Sequence, residues 1–384
     1  MTGFFYRQLA KASGNGAVAP GELVRLKVDL ALAHDGSGPE ILRIFSNQRR
    51  TVAPGSRVLV TLDHCFPAST IADREFQQQM QVFARQNNII LFKNGEGVLH
   101  QVVAEEESLW PGMVIVGADG HVATAGAFGA IAFPISPQEF VETVSRGEYQ
   151  IRVPEQVVVG LDGIPKPQVM TRDIALFLKS RFGQELQGKA LLLTGSAIES
   201  MNISEKMSLC NFMPECKVAT ALVLPMGEQV ALDFRVDVRQ IMPMLARPGN
   251  EGKICPASSC AGTSISVAIA GGCSSGRLDD MQTIGEILAK GEVHDDVTFI
   301  ITPGSRSVLD SMEKMGISGM LRSSGAVIMP PGCGPCPGRH LGLLSDTDGA
   351  VTTTIRNSPG RIGAEGAAIY LASPRTVALS AVHG

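Results

Sequence analysis

Three cysteines in glycine-rich settings carry the most chemistry in this sequence. Cys273 stands in GGCSSGR at the end of an apolar run, and Cys333 and Cys336 stand in PPGCGPCPGRH, a loop dense in glycine and proline. A Cys-x2-Cys pair holds two sulfurs on one side of a loop. A third cysteine from elsewhere completes a three-thiolate site that leaves one coordination position open. Taken alone, the pair favours redox thiols, a zinc loop or a structural accident over an iron–sulfur site. A zinc loop would want a fourth protein ligand, for which His340 is the nearest candidate. Cys65, Cys210, Cys216, Cys255 and Cys260 show no comparable pattern and are expected as small buried side chains, with Cys255-x4-Cys260 the one further pair to test for metal.

Composition narrows the classes. The chain has 384 residues, 44% hydrophobic and 18% charged, as expected of a globular protein of two or three domains. A net charge of −4 with three tyrosines and one tryptophan offers neither the basic footprint nor the stacking platforms of a nucleic-acid binder. A local positive pocket for a small acid stays open. The amino terminus lacks the layout of a signal peptide and no apolar stretch reaches spanning length, so no membrane association and a cytoplasmic location are expected. In that reducing setting a disulfide framework is out of place.

The elements that must position the cysteines read as alternating strands and helices. Apolar, β-branched runs recur at 57–62, 113–118, 156–161, 189–195, 264–272 and 296–304, and helical segments follow several of them, as in STIADREFQQQMQVFARQ, VMTRDIALFLKSRFG and LDDMQTIGEILAKG. This predicts α/β layers with buried strands and ligands outside the strands' carboxyl ends. Joints are expected near 148–167 and 247–264, the second marked by Pro248, Gly249, Gly252 and Gly262. They divide the chain into an amino-terminal α/β domain (1–155), a middle α/β domain (156–250) and a carboxy-terminal α/β domain carrying the cysteines (251–384).

GGCSSGR, GCGPCPG, RNSPGR and IYLASPRTVALSAVHG resemble, in order, the cluster and carboxylate-binding segments of the aconitase superfamily. AHDGSGPEIL, LDHCFP, GVLHQVVAEEESLWPGMVIVGADGH, ATAGAFGAIAF and SEKMSLCNFMPECKVAT fit the same order. The resemblance covers nearly the whole chain and is closest to the separate large subunits of 3-isopropylmalate dehydratase and homoaconitase. It implies a three-domain aconitase-like fold around a cluster-containing cleft, without the swivelling fourth domain. It implies Cys273, Cys333 and Cys336 as ligands of a 4Fe–4S cluster. Asp63 and His64 match the pair that protonates the departing hydroxyl. His100 matches a histidine oriented by the aspartate found here as Asp119, and His121 one partnered by the carboxylate found here as Glu215. Asn211 falls near the cluster, His34 beside the substrate, and Arg356 and Arg361 where substrate carboxylate is held. His294, His340 and His383 have no such support and are expected at the surface.

The residue types suit that chemistry. Dehydrating a hydroxy acid means removing a weakly acidic carbon proton and expelling hydroxide, a poor leaving group. A metal ion with an open position acts as a Lewis acid, a histidine titrating near neutrality protonates the oxygen, and an arginine fork holds carboxylate bidentately. The resemblance therefore implies a hydro-lyase or isomerase acting on a 3-isopropylmalate-like or homoaconitate-like acid, or a hydratase of a short unsaturated diacid of the maleate type. An iron–sulfur sensor or RNA-binding regulator is the alternative of another class. The chain departs from the family pattern at Gly120, where a serine is usual, at Ile355, and in Cys-Ser-Ser-Gly-Arg. It also ends at SAVHG with no room for the swivelling domain, so a separately encoded small subunit is the expected partner.

Overall fold

The protein is described by a computed structural model covering residues 3–249 and 253–384. Three sheets follow one another along the chain. The first has five parallel strands in the spatial order Ile90–Phe92, Val58–Thr61, Leu30–His34, Val114–Gly117, Ile131–Pro134. The middle sheet has four parallel strands in the order Thr220–Val223, Ala190–Thr194, Gln156–Asp162, Phe234–Asp237. The third has seven in the order Ile254–Pro256, Met244–Ala246, Ala368–Ala372, Gly349–Thr352, Val267–Gly271, Thr298–Thr302, Val327–Ile328, in which only Met244–Ala246 runs against its neighbours. A separate antiparallel pair joins Leu23–Lys27 to Glu148–Arg152.

The strands are continuous apolar runs because both faces are covered. Leu30–His34, Val58–Thr61 and Val114–Gly117 are buried at every position. The middle sheet divides its side chains by period two. Val157, Val159, Leu191, Leu193 and Ala221 join a core with Ile269, Ile300 and Ile369 of the third sheet. Val158, Ala190, Leu192 and Leu222 join a core with Val60, Val116 and Ile131 of the first. The helices read from the sequence form as Ile71–Gln86, Thr171–Leu186 and Leu278–Leu288, the first started by a reciprocal Thr70/Asp73 capping box.

Residues 148–167, expected as a joint, are mostly strand: Glu148–Arg152 pairs back to the amino-terminal region, and Gln156–Asp162 is a buried strand of the middle sheet. Its Val and Gly content reflects burial between two layers and not an open linker. Within 247–264, Ile254–Pro256 is an edge strand, while positions 250–252, Gly252 among them, lie outside the described residues.

The carboxyl ends of two sheets meet. His34 ends its strand, Asp63 and His64 follow Val58–Thr61, and Asp119 and His121 follow Val114–Gly117. From the third sheet, Cys273 follows Val267–Gly271, the 330–338 loop follows Val327–Ile328, and Arg356 follows Gly349–Thr352. Gly271 allows the turn into Cys273: its φ is +120°, and a Cβ there would lie 1.9 Å from the Thr302 carbonyl oxygen. Gly271→Ala should therefore lower unfolding stability by about 3 kcal/mol or more, since neither that φ nor that contact suits a side chain. Urea denaturation checks it, and a loss under about 1 kcal/mol would mean the turn tolerates a Cβ.

Candidate active site where two sheets meet

Asp35 organises the first group. Its Oδ1 accepts from the backbone N–H of Asp63 (3.0 Å) and His64 (2.8 Å), and its Oδ2 from that of Cys65 (2.9 Å), so one buried carboxylate fixes the whole turn. Within that turn His64 Nδ1 lies 2.6 Å from Asp63 Oδ1, and Asp63 Oδ2 accepts from the Leu99 N–H at 2.7 Å. Burial opposes a charge on His64, but the Asp63 carboxylate, its hydrogen bond and the charges of Asp35 and Asp119 outweigh it and hold the imidazolium to higher pH than usual. His34 stacks flat on His64, with ring centroids 4.0 Å apart. Gly36 N–H donates to His34 Nδ1 at 2.9 Å, so that nitrogen is unprotonated and Nε2–H faces Asp119 Oδ2 at 3.0 Å.

Asp119 is the hub of the second group. Its Oδ1 meets His100 Nε2 at 2.8 Å and accepts from the His121 N–H at 2.5 Å. Burial opposes its charge, yet His100 and His34 hold its carboxyl well below the usual range. His121 Nε2 stands 3.6 Å from Glu215 Oε1, an ion-pair distance too long for a hydrogen bond, and Glu215 Oε1 accepts from Arg356 Nε at 2.9 Å. Glu215 and Arg356 line a cavity of about 230 Å³ with Lys179, Ile355 and Ile254. A larger cavity, about 560 Å³, lies beside the carboxy-terminal helix and touches none of these groups.

The three cysteines complete the site. The Cys333 N–H donates to the Asp63 carbonyl oxygen at 3.0 Å, and Cys333 Sγ lies 3.6 Å from His64 Nδ1. Cys273 Sγ lies 3.9 Å from Asn211 Oδ1, whose amide donates to Thr124 Oγ1 at 2.8 Å, and Arg361 Nη2 lies 3.7 Å from Cys336 Sγ. Burial pushes the Cys273 thiol up to about 12, with the charges of Cys336 and Asp119 adding to it. Burial also pushes Cys333 well above the ordinary thiol value, with Asp63, Cys273 and Cys336 adding. Three mutually opposed sulfurs ionise together only when a cation joins them, so the donor set suits a bound iron–sulfur group. Beside Cys273 two buried guanidinium groups keep donors without partners: Nε and Nη1 of Arg172 and Nε of Arg277, although Arg277 Nη2 donates to the Cys273 carbonyl at 2.8 Å. Among the described residues, the groups whose metal-ligand atoms lie within 4.8 Å of one another are His34, Asp35, Asp63, His64 and His100, Asp119, His121, whose atoms bind one another; the three sulfurs do not all lie that close together.

A sequence profile of the Aconitase family (aconitate hydratase) matches residues 10–234 and 246–384. The chain belongs to the aconitase family. Its relatives include a probable methanogen homoaconitase large subunit from Methanothermobacter thermautotrophicus, 34% identical over 98% of this chain and 95% of that one. A 3-isopropylmalate dehydratase large subunit from Thermococcus kodakarensis is 36% identical over 95% of this chain and 94% of that one. The crystal structure of Thermococcus kodakaraensis aconitase X (holo-form) matches with a TM-score of 0.54 and 13% identity, covering 92% of this chain and 87% of that one, which speaks to the fold alone. Family membership makes the protein an enzyme, a hydro-lyase of the aconitase type. Members of this family generally use an iron–sulfur cluster. Among the described residues, no helix is long and apolar enough to cross a membrane.

The structure joins His34, Asp63, His64, His100, Asp119, His121, Glu215, Arg356 and Cys333 through the contacts given above, and Cys273 and Asn211 through Thr124, whose Oγ1 donates to the His121 carbonyl at 2.7 Å. Arg361 and Cys336 meet each other, and no hydrogen bond or ion pair among the described residues links their side chains to the rest. Three expectations are corrected. His340 is buried, not superficial, and its Nε2 lies 2.8 Å from the Pro67 carbonyl oxygen, which removes that nitrogen as a zinc ligand. Cys255 and Cys260 are partly exposed, because they sit on an edge strand and the turn after it; Cys65, Cys210 and Cys216 are buried as expected. Sequence reading missed Asp35, although its place between His34 and the glycine of a strand-end turn was a usable signal. It also missed Arg172 and Arg277, whose burial no local pattern announces.

Glu215 yields a pH test. Burial raises its carboxyl, but His121 and Arg356 outweigh this and bring it from 4.5 to about 2. The resulting stability is complete above the unfolded value and is lost as pH falls toward 2. Glu215→Gln should cost about 2 kcal/mol at pH 7, allowing for solvent around the half-exposed Arg356, with the gap closing below about pH 4. A gap that widens on acidification contradicts this electrostatic assignment.

Proposed function

We propose that this chain is the cluster-bearing large subunit of a two-subunit hydro-lyase that dehydrates and rehydrates a hydroxy di- or tricarboxylic acid, 3-isopropylmalate-like or homoaconitate-like. The observation that carries the reading is the contact of two loops from different sheets: the Cys333 N–H on the Asp63 carbonyl, with Cys333 Sγ 3.6 Å from His64. It brings a hydrogen-bonded acid–base pair against one of the three cysteine sulfurs.

Cys273, Cys333 and Cys336 would hold a 4Fe–4S cluster, which when bound supplies a Lewis acid to the substrate's hydroxyl and carboxylate. The chain's own residues supply the rest. His64 delivers a proton to the departing hydroxyl, and Asp63 aims the ring and stabilises its charged form. Arg356 and Arg361 grip carboxylate, Arg356 already steadied by Glu215. Asp119 fixes His34 and His100, while His121 faces Glu215. Asn211 holds the Cys273 side of the pocket.

The base that removes the carbon proton belongs to the partner. Both relatives described above are themselves named large subunits, which supports a separately encoded small subunit here. Gly120 bears on the substrate, since a Cβ there would lie 3.2 Å from Arg356 Nη2; without one, the guanidinium has room over the turn at 119–121. The enzyme copurified anaerobically with its small subunit should turn over at least one acid in a panel of hydroxy diacids, triacids and methyl-substituted maleates. His64→Gln should lower kcat about 10²- to 10⁴-fold, the range for a lost general acid. Silence on every acid with the cluster intact would sink the catalytic claim, and a salt-dependent RNA shift by the cluster-free form would favour a regulator.

A further inference from the structure

Arg172 and Arg277 have no role in the function proposed above, yet among the described residues they are the only buried lysine or arginine side chains, each 2% exposed. Neither has a carboxylate oxygen of a described residue within 4.0 Å of its guanidinium. Both also stand where the backbone discourages a cation. Arg172 is the second residue of the helix Thr171–Leu186 and Arg277 directly precedes the helix Leu278–Leu288, so each sits at the positive end of a helix dipole. Burial lowers both guanidinium groups, Arg172 to about 10, and leaves them charged at neutral pH. A buried charge with no counter-charge is strongly unfavourable. The fold keeps two.

Their hydrogen bonds converge on one turn. Arg277 Nη2 donates to the Cys273 carbonyl at 2.8 Å, and its Nη1 donates to the Ser274 carbonyl at 3.3 Å and to Ser208 Oγ at 2.9 Å. Arg172 Nη2 donates to the Thr353 carbonyl at 2.7 Å, and the same oxygen accepts from Ser274 Oγ at 2.6 Å. Both guanidinium groups therefore flank the helical turn Gly272–Ser275 that carries Cys273. Their remaining buried donors, Nε and Nη1 of Arg172 and Nε of Arg277, meet no acceptor.

Other neighbours answer the two charges only in part. The Phe212 ring centroid lies 4.8 Å from Arg172 Cζ, a cation–π contact. The buried carboxylates next along the chain are spent on the backbone: Asp173 accepts from the Met170 and Met244 N–H groups, and Asp280 from that of Arg277. Negative charge at Cys273 is the counter-charge that this place lacks.

We propose that Arg172 and Arg277 are the counter-charge of the Cys273 side of the metal centre, offsetting the charge of its thiolates and of the electron that reduction adds, while Arg277 holds the Cys273 turn. They act through Cys273 and are positioning residues. Net charge and hydrogen-bond donors around the sulfurs set the potential of such centres. The inference rests on the iron–sulfur group proposed above.

The full chain and its variants, purified anaerobically, would be assayed for iron and acid-labile sulfide and then titrated with dithionite, the reduced centre followed by electron paramagnetic resonance. Arg172→Met and Arg277→Met should each make reduction harder, shifting its equilibrium constant about tenfold, or ~59 mV for one electron. Arg172→Lys and Arg277→Lys keep the charge and should restore the native potential. A native chain without iron and sulfide would fail the earlier reading and this one with it. Iron and sulfide in every variant at one unchanged potential would overturn this proposal alone. Where a Met variant loses the centre, the matching Lys variant decides: retention supports the counter-charge, and loss in both overturns it.

Discussion

The middle sheet is the constraint on which the rest depends. Its strands send alternate side chains to opposite faces, and both faces are apolar: Val157, Val159 and Leu191 turn toward the third sheet, Val158, Leu192 and Leu222 toward the first. A sheet buried on both sides cannot shift register by one residue without exchanging its two cores. The sheets on either side therefore hold fixed positions, and so do the loops at their carboxyl ends. The site exists because those loops face each other.

Across that gap run polar contacts, among them the Val98 N–H to the Gly304 carbonyl (2.8 Å), Ser305 Oγ to Glu105 Oε1 (2.7 Å) and His340 Nε2 beside the Pro67 carbonyl (2.8 Å). One backbone hydrogen bond joins the cysteine loop to the turn of Asp63 and His64, and Glu215 links His121 to Arg356 from the third sheet. Behind them, two carboxylates each organise several groups: Asp35 through three backbone N–H donors, Asp119 through His34, His100 and the His121 N–H. Buried charges of this kind are stable only when fully partnered, so removing one member strands the others. The histidines are held in register by carboxylates before any ligand arrives, which is how a preorganised acid–base site is built. The donors left over on Arg172 and Arg277 stand beside Cys273, where negative charge would gather on ionised sulfurs.

Much of the fold was legible because burial on both faces writes itself as continuous apolar runs; all six runs contain strands, from Val58–Thr61 to Thr298–Thr302. The run at 156–161 was readable as a strand, yet its flanking glycines and prolines also suggested a joint, and composition alone does not separate a tight crossover between layers from a linker. Site types were legible through glycine-rich settings and collinear order, as with Cys273 and the pair Cys333 and Cys336. What stayed hidden depends on tertiary neighbours. The burial of His340 comes from its bond to the Pro67 carbonyl, and the hub at Asp119 comes from a contact with His34, a residue on an adjacent strand far away in sequence. The exposure of Cys255 and Cys260 follows from an edge position that no short pattern encodes.

The central claim is that Cys273, Cys333 and Cys336 hold an iron–sulfur group against an acid–base network anchored on the neighbouring sheet. Iron, zinc and acid-labile sulfide measured together in anaerobically purified protein, native and with each of these cysteines replaced by serine, test it most directly. The account predicts iron with sulfide in the native chain and its loss in each of Cys273→Ser, Cys333→Ser and Cys336→Ser, with far-ultraviolet circular dichroism unchanged. Zinc without sulfide in active native protein would contradict it.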